Sequence, residues 1–264
     1  MTSVYWFEQT EADVPTQNDW FSASETLQLN NLRFAKRRTD WRLGRWTAKC
    51  AAAIYLDIPR HSQGLSRIEI RPAASGMPAV FVANQPVYAT ISLSHSGGAA
   101  MCAVAPAGTA IGCDLELVEE RSSSFLSDFF TKEEQELVAR SSPADRPILV
   151  TLLWSAKESA LKALGAGLRL DTRSVVVDIL EGSNCLVWHP LRVHYAEGQQ
   201  TFLGWWQYAS KFVQTLVALP PPSAPTLLRI HYDDSVVATG QTKERSISEV
   251  RSKQPRLTAG AFSH

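Results

Sequence analysis

The chain carries no surplus of charge of either sign: 26 lysines and arginines balance 26 aspartates and glutamates over 264 residues. A neutral surface gives no overall attraction for nucleic acid or anionic membrane, so any basic site must be local. Nowhere do about 18 apolar residues run together, which argues against a spanning helix. The opening segment Met1–Glu8 lacks a basic leader followed by a long apolar run, so no signal peptide is expected and the predicted location is cytoplasmic. Cysteine is scarce. Cys50, Cys102, Cys113 and Cys185 are widely spaced with no CxxC pair and sit among apolar neighbours. They read as reduced, packed thiols rather than disulfides or zinc ligands.

What remains is an ordinary globular composition, 45% hydrophobic and 20% charged, long enough for one or two cores. Val4 to Phe7 reads as an opening strand. Ser24 to Leu56 is rich in helix formers and free of proline, giving one or two helices that Ile58-Pro59 ends. Short β-like runs follow at 67–71, 79–82, 89–94 and 99–105, punctuated by Gly76, Gly97-Gly98 and Pro106. A second half begins near Gly108. It has a strand candidate over 110–118, a helix opened by Thr131 as N-cap, and a long helix from Arg146 that stops at Gly165. Strand-like runs close it at 174–180, 186–195, 201–208 and 212–219. Each half therefore runs helix first and strands after, which predicts an α+β fold. The expected units are 1–107, 108–222 and a partly disordered extension over 223–264, with 227–232 able to pair as a strand.

Four segments carry chemistry. In Ile111-Gly112-Cys113-Asp114-Leu115-Glu116 the two acids share one strand face. Such a pair suits a hard cation such as Mg²⁺, which takes oxygen ligands, and equally suits a solvated edge strand. In Trp154–Gly165, Glu158 and Lys162 stand four apart on one helix face, an ordinary surface ion pair unless the tryptophan and small residues beside them mean packing. Lys157 lies about 100° round from Glu158 and serves another face. Ser92-Leu93-Ser94-His95-Ser96-Gly97-Gly98 leads a strand into a flexible turn whose backbone amides and imidazole suit phosphate. A nucleophilic serine is disfavoured there, because the G-x-S-x-G elbow is absent. The stretch 33–49 is basic and holds two tryptophans. For most of its charges a solvated face is expected, with a phosphate platform or RNA binding as the competing readings.

Read in order, Ser-Leu-Ser-His-Ser at 92–96, Ile-Gly-Cys-Asp-Leu-Glu at 111–116, Phe-Phe-Thr-Lys-Glu-Glu at 129–134 and Trp-Ser-Ala-Lys-Glu-Ser-Ala-Leu-Lys-Ala-Leu-Gly at 154–165 resemble the 4′-phosphopantetheinyl transferase superfamily. The likeness is to its larger, two-repeat form, the surfactin-synthetase activator type, and covers roughly 30–220. It implies two similar α+β subdomains about a pseudo-twofold axis. It implies transfer of the phosphopantetheine arm of coenzyme A to a serine of an apo acyl or peptidyl carrier protein, with 3′,5′-ADP leaving. It also implies a Mg²⁺-dependent monomer with neither nucleic acid nor membrane as partner. Residue by residue, Asp114, Glu116 and Glu158 match the metal-binding acids, with Glu158 also the candidate general base. Lys162 matches the lysine at the pyrophosphate. Ser94 and His95 match residues at the cofactor phosphates, and Arg37, Arg45 and, more loosely, Arg71 match the nucleotide end. Where many relatives have a lysine before the proline, this chain has Gly76-Met77-Pro78. A non-catalytic coenzyme A-binding module is the alternative that keeps the cleft without the reaction.

Overall fold

The structure is a computed structural model that describes residues 1–180 and 187–229. The first half opens with strand β1 (Tyr5–Thr10) and helices α1 (Ala23–Asn31), α2 (Ala35–Tyr55) and α3 (Ser62–Ser66). Strands β2 (Ile68–Pro72), β3 (Pro78–Val82), β4 (Gln85–Pro86), β5 (Ala89–Ser96) and β6 (Ala99–Pro106) follow. The second half has β7 (Ala110–Leu117), then α4 (Ser123–Phe129), α5 (Lys132–Arg140) and α6 (Arg146–Ala163). It ends in β8 (Val175–Ile179), β9 (His189–Tyr195), β10 (Gln200–Ala209) and β11 (Phe212–Leu219), and the short β12 (Thr226–Leu227) comes last. The fold is α+β, as the order of helical and strand-like runs predicts.

The strands form three sheets, ordered β12-β1-β6-β5, β7-β11-β10-β9-β8 and β2-β3-β4. Alternation along β6 shows how the first two stack. Cys102 and Val104 pack with α2 residues such as Ala48 and Ala52. Their neighbours Met101, Ala103 and Ala105 join Ile111, Cys113 and Leu115 of β7 and Leu216 of β11. On the far side, Val213 and Val217 of β11 meet Leu152, Ala156 and Ala160 of α6. Helix, sheet, sheet and helix thus lie in layers, and the two central sheets bury both faces. That is why Ala-Ala-Met-Cys-Ala-Val-Ala in β6 shows no polar alternation.

One motif occurs twice. Ser22 caps α1 and Glu25 closes its capping box, while Thr131 and Glu134 do the same for α5. In each half the capping glutamate then turns inward. Glu25 Oε2 takes the ammonium of Lys49 from α2, and Oε1 takes the amide of Ile70 in the middle of β2. Glu134 Oε2 lies 2.9 Å from the ammonium of Lys157 in α6, and its Oε1 takes the amide of Val177 in β8. Both lysines are fully buried. Each triad ties a cap, a long helix and a first strand together with the same atoms. Two members of the basic stretch, Lys49 and Arg45, consequently face inward to Glu25 rather than solvent.

The last described residues cross back to the first sheet, β12 pairing in parallel with β1 through Tyr5–Thr226 and Trp6–Leu227. The reading of a tail over 240–264 and most of the 227–232 stretch fall outside the described residues, as does Cys185. Cys50, Cys102 and Cys113 are free and buried. Burial pushes the Cys113 thiol up to about 11, so it stays a neutral packing group. Among the described residues no helix is long and apolar enough to cross a membrane.

Candidate active site

The site lies where two edge strands meet, β5 of one sheet and β7 of the other. An edge strand leaves every second amide without a ladder partner. Here serines spaced two apart on β5 fill the gap. Ser92 Oγ accepts from the Cys113 amide at 2.9 Å, and Ser96 Oγ accepts from the Leu117 amide at 3.3 Å. Ser94, between them, donates to Asp114 Oδ1 at 2.7 Å, and Ser96 donates to Glu116 Oε2 at 3.3 Å. The seam that joins the halves therefore also orients both acids.

Helix α6 reaches the same seam because β7 has a glycine where the two cross. A Cβ at Gly112 would sit 1.8 Å from the Ser159 carbonyl oxygen. Ser155 and Ser159 hydrogen-bond Thr215 of β11 at 2.9 and 2.7 Å, fixing the helix over the sheet. Thr215 is the cross-strand partner of Asp114. Glu158 and Lys162 then project toward the acids of β7. Lys162 bypasses Glu158, the ordinary i−4 partner, and donates instead to Asp114 Oδ1 at 2.7 Å and to the Cys113 carbonyl at 3.1 Å. Trp154 donates its indole N–H to Glu116 Oε1 at 3.2 Å, and the Arg121 guanidinium stands 3.7 Å from Oε2.

Burial, and then the charge of Asp114, hold the Glu116 and Glu158 carboxyls above the usual carboxylate range. Burial acts against the Lys162 ammonium, but Asp114 and further contacts outweigh it and leave its pKa raised. Two carboxylate oxygens, Asp114 Oδ2 and Glu158 Oε1, are buried and accept no hydrogen bond. Unsatisfied buried carboxylate oxygens are costly, and an all-oxygen donor set of this kind fits a hard divalent cation. As the side chains stand, no three His, Cys, Asp or Glu residues among those described are gathered closely enough to ligate one ion. Lys162 occupies one acid's inner oxygen.

Hollows bracket the acids along β5. One, of about 320 Å³, is lined by Met77, Ile91, Leu93 and Ile111 with Lys162 and Arg169. The other, larger at about 650 Å³, lies by the Gly97-Gly98 turn and the start of α2, and the three acids line neither. Of the remaining expected residues, His95 is exposed, with its ring over Gly44 of α2. Arg37 is exposed seven residues before Gly44, on the same helix face.

Two expected arginines are engaged elsewhere. Arg45 is packed over the Trp41 ring at 4.9 Å with its Nε 3.9 Å from Glu25. Arg71 is held by Glu69 at 2.9 Å and by Asn84, over the Phe81 ring. Neither lines the hollow beside the acids. Ser96, Arg121 and Arg169 join the site beyond the residues that the sequence motifs mark. The period-two serines 92, 94 and 96 held the signal for Ser96, whereas nothing local marked Arg121 or Arg169.

Residues 110–203 match the family model described as the 4′-phosphopantetheinyl transferase superfamily. A solved structure, the Thermotoga maritima holo-[acyl-carrier-protein] synthase (AcpS), aligns at 21% identity over 49% of this chain and 75% of that one. Its TM-score is 0.30, a likeness too loose to place any residue. No curated protein sequence matches. The residues that match the 4′-phosphopantetheinyl transferase superfamily are those that hold Asp114, Glu116, Glu158 and Lys162.

Proposed function

We propose that this chain moves the phosphopantetheine arm of coenzyme A to a serine of an apo acyl or peptidyl carrier protein, releasing 3′,5′-ADP. The observation that carries the reading is the meeting of Asp114, Glu116, Glu158 and Lys162 on two elements, with buried carboxylate oxygens left open. Hollows on both sides of the acids suit a reaction that joins two partners at one phosphorus. Asp114, Glu116 and Glu158 would hold Mg²⁺. The chemistry that a bound Mg²⁺ supplies is neutralisation of the pyrophosphate as its bridging oxygen departs.

The chain's own residues do the rest. Ser94 and Ser96 orient the two strand acids, and His95 and Arg37 stand toward the phosphate end of a cofactor laid along β5. The carrier serine oxygen forms a bond to the phosphorus bearing the arm. The bond from that phosphorus to the bridging oxygen breaks, and 3′,5′-ADP leaves with the electron pair. Glu158 takes the serine proton, directly or through one water, and its raised affinity for protons suits that task.

The test is to incubate the protein with coenzyme A, Mg²⁺ and several apo-carriers, and to weigh the carriers by mass spectrometry. Wild type should add one arm to at least one carrier, and Glu158→Ala should lower the rate by about 10²–10⁴-fold while remaining folded. Wild-type rates in Glu158→Ala would remove that residue from the chemistry. Coenzyme A binding with no mass gain on any carrier would favour a binding module.

A further inference from the structure

The acid cluster contains one feature that binding of a metal does not by itself explain. Its ammonium is in the wrong place for a bystander. Lys162 shares a helix face with Glu158, one turn away, yet its Nζ reaches across to β7 and sits on Asp114 Oδ1, with the Cys113 carbonyl as second acceptor. The same Oδ1 also takes the Ser94 hydroxyl. Asp114 is 3% exposed, so this oxygen has no solvent to fall back on. Its other oxygen, Oδ2, has no partner, nor does Glu158 Oε1. The groups facing the Lys162 ammonium are therefore Asp114, Glu158 and the Cys113 carbonyl, while Arg121 serves Glu116 at the rim. One buried-side cation thus answers for the inner acids, and it stands on an atom that the proposed metal site needs.

We propose that Lys162 is the built-in counter-ion of the metal-free site: its ammonium holds Asp114 until a divalent cation arrives and is then displaced from Oδ1 into the adjoining hollow. Lys162 already forms part of the wall of that hollow together with Arg169, so the released ammonium has a space at hand to enter. The exchange explains why no three acids are gathered for an ion in the present arrangement although their oxygens are available. Lys162 competes with the metal for one ligand and keeps the acids from repelling one another when the metal is gone. The inference rests on the metal reading of the proposed function.

The experiment titrates Mn²⁺ into wild type, Lys162→Gln and Lys162→Arg, following free Mn²⁺ by electron paramagnetic resonance. The ionic hydrogen bond that the metal must displace is of the strong, charge-assisted class, so Lys162→Gln should bind Mn²⁺ about ten- to hundredfold more tightly. Lys162→Arg, which keeps the charge, should stay near wild type. Equal or weaker Mn²⁺ binding by Lys162→Gln overturns the exchange alone. No Mn²⁺ uptake by wild type overturns the metal reading and the exchange with it.

A second measurement uses only wild type and so does not depend on a variant folding. Lysine acylation read by mass spectrometry should show Lys162 labelling rise by about tenfold when Mn²⁺ is added, its protecting bond having gone. Lys49 and Lys157, fully buried, serve as unlabelled controls. Unchanged Lys162 labelling at saturating Mn²⁺ overturns the proposal.

Discussion

Replacing Gly112 with alanine should separate the two elements that make the site. Gly112 lies under α6, and a Cβ there would stand 1.8 Å from the Ser159 oxygen and 2.8 Å from the Ala163 nitrogen. Ordinary contact starts at 3.4 Å, so strand and helix must part by about 1.6 Å. The atoms in the way are helix backbone, which cannot rotate aside. Both neighbours belong to well-packed layers, and overpacking of that kind typically costs about 1–3 kcal/mol. For a chain of this size that is a fall in Tm of about 2–12 °C. The effect on chemistry should be larger than the effect on stability. Lys162 meets Asp114 at 2.7 Å, and a shift of this size takes the pair out of hydrogen-bond range. Misplacement by about 1 Å can cost 10²-fold in rate. Thermal unfolding and the carrier-loading assay read the two effects side by side. Gly108→Ala is the control: its φ of +83° makes a side chain strained, but nothing lies within 4 Å of its Cβ, so stability alone should suffer. If Gly112→Ala unfolds within about 1 °C of wild type and loads carrier at the wild-type rate, the close crossing does not position the site.

Two further outcomes are expected. Lys157→Met leaves Glu134 buried without its cation and should cost about 3–5 kcal/mol in urea unfolding, with Glu134→Gln in the same chain restoring part of it; a loss under about 1 kcal/mol would show that this anchor is incidental. The second concerns pH. The Glu116 and Glu158 carboxyls bind protons more tightly in the fold than when unfolded. Their contribution to metal-free stability is therefore full below the ordinary glutamate value of 4.5 and is lost as pH rises through the raised folded values. A divalent cation must displace those protons, so the Mg²⁺-induced rise in Tm should be greater at about pH 8 than at about pH 5, and equal shifts would argue against these acids as ligands.

Much of the fold was legible because its signals are local. Thr131 caps α5 as its spacing to Glu134 foretells, and Gly165 follows the end of α6. The acids Asp114 and Glu116 share a face because strand periodicity requires it. What the sequence hid depends on partners far along the chain. Helix α4 was not foreseen, its Ser122–Ser124 start giving little periodic pattern. Lys49 and Lys157 look like surface charges until Glu25 and Glu134, more than twenty residues away, turn out to face them. Arg45 and Arg71 show the same dependence on partners: the resemblance aligns them with a nucleotide end, and the structure engages them with Glu25, Glu69 and neighbouring rings. The serine row of β5 was visible as alternation. Its purpose was not, because nothing in the sequence says that β5 and β7 are neighbours.

That neighbourhood also decides ownership of the reaction. Asp114 takes its orientation from a hydroxyl that the first half contributes and its charge balance from an ammonium that the second half contributes. All three acids and the lysine belong to the second half, but the hydroxyls that orient the two strand acids belong to the first, even though each half has its own capped helix, its own core and its own buried ion pair. Stability is thus duplicated in this chain while the setting of the acids is shared across the joint, and a change that merely loosens the joint should silence the proposed transfer without unfolding either side.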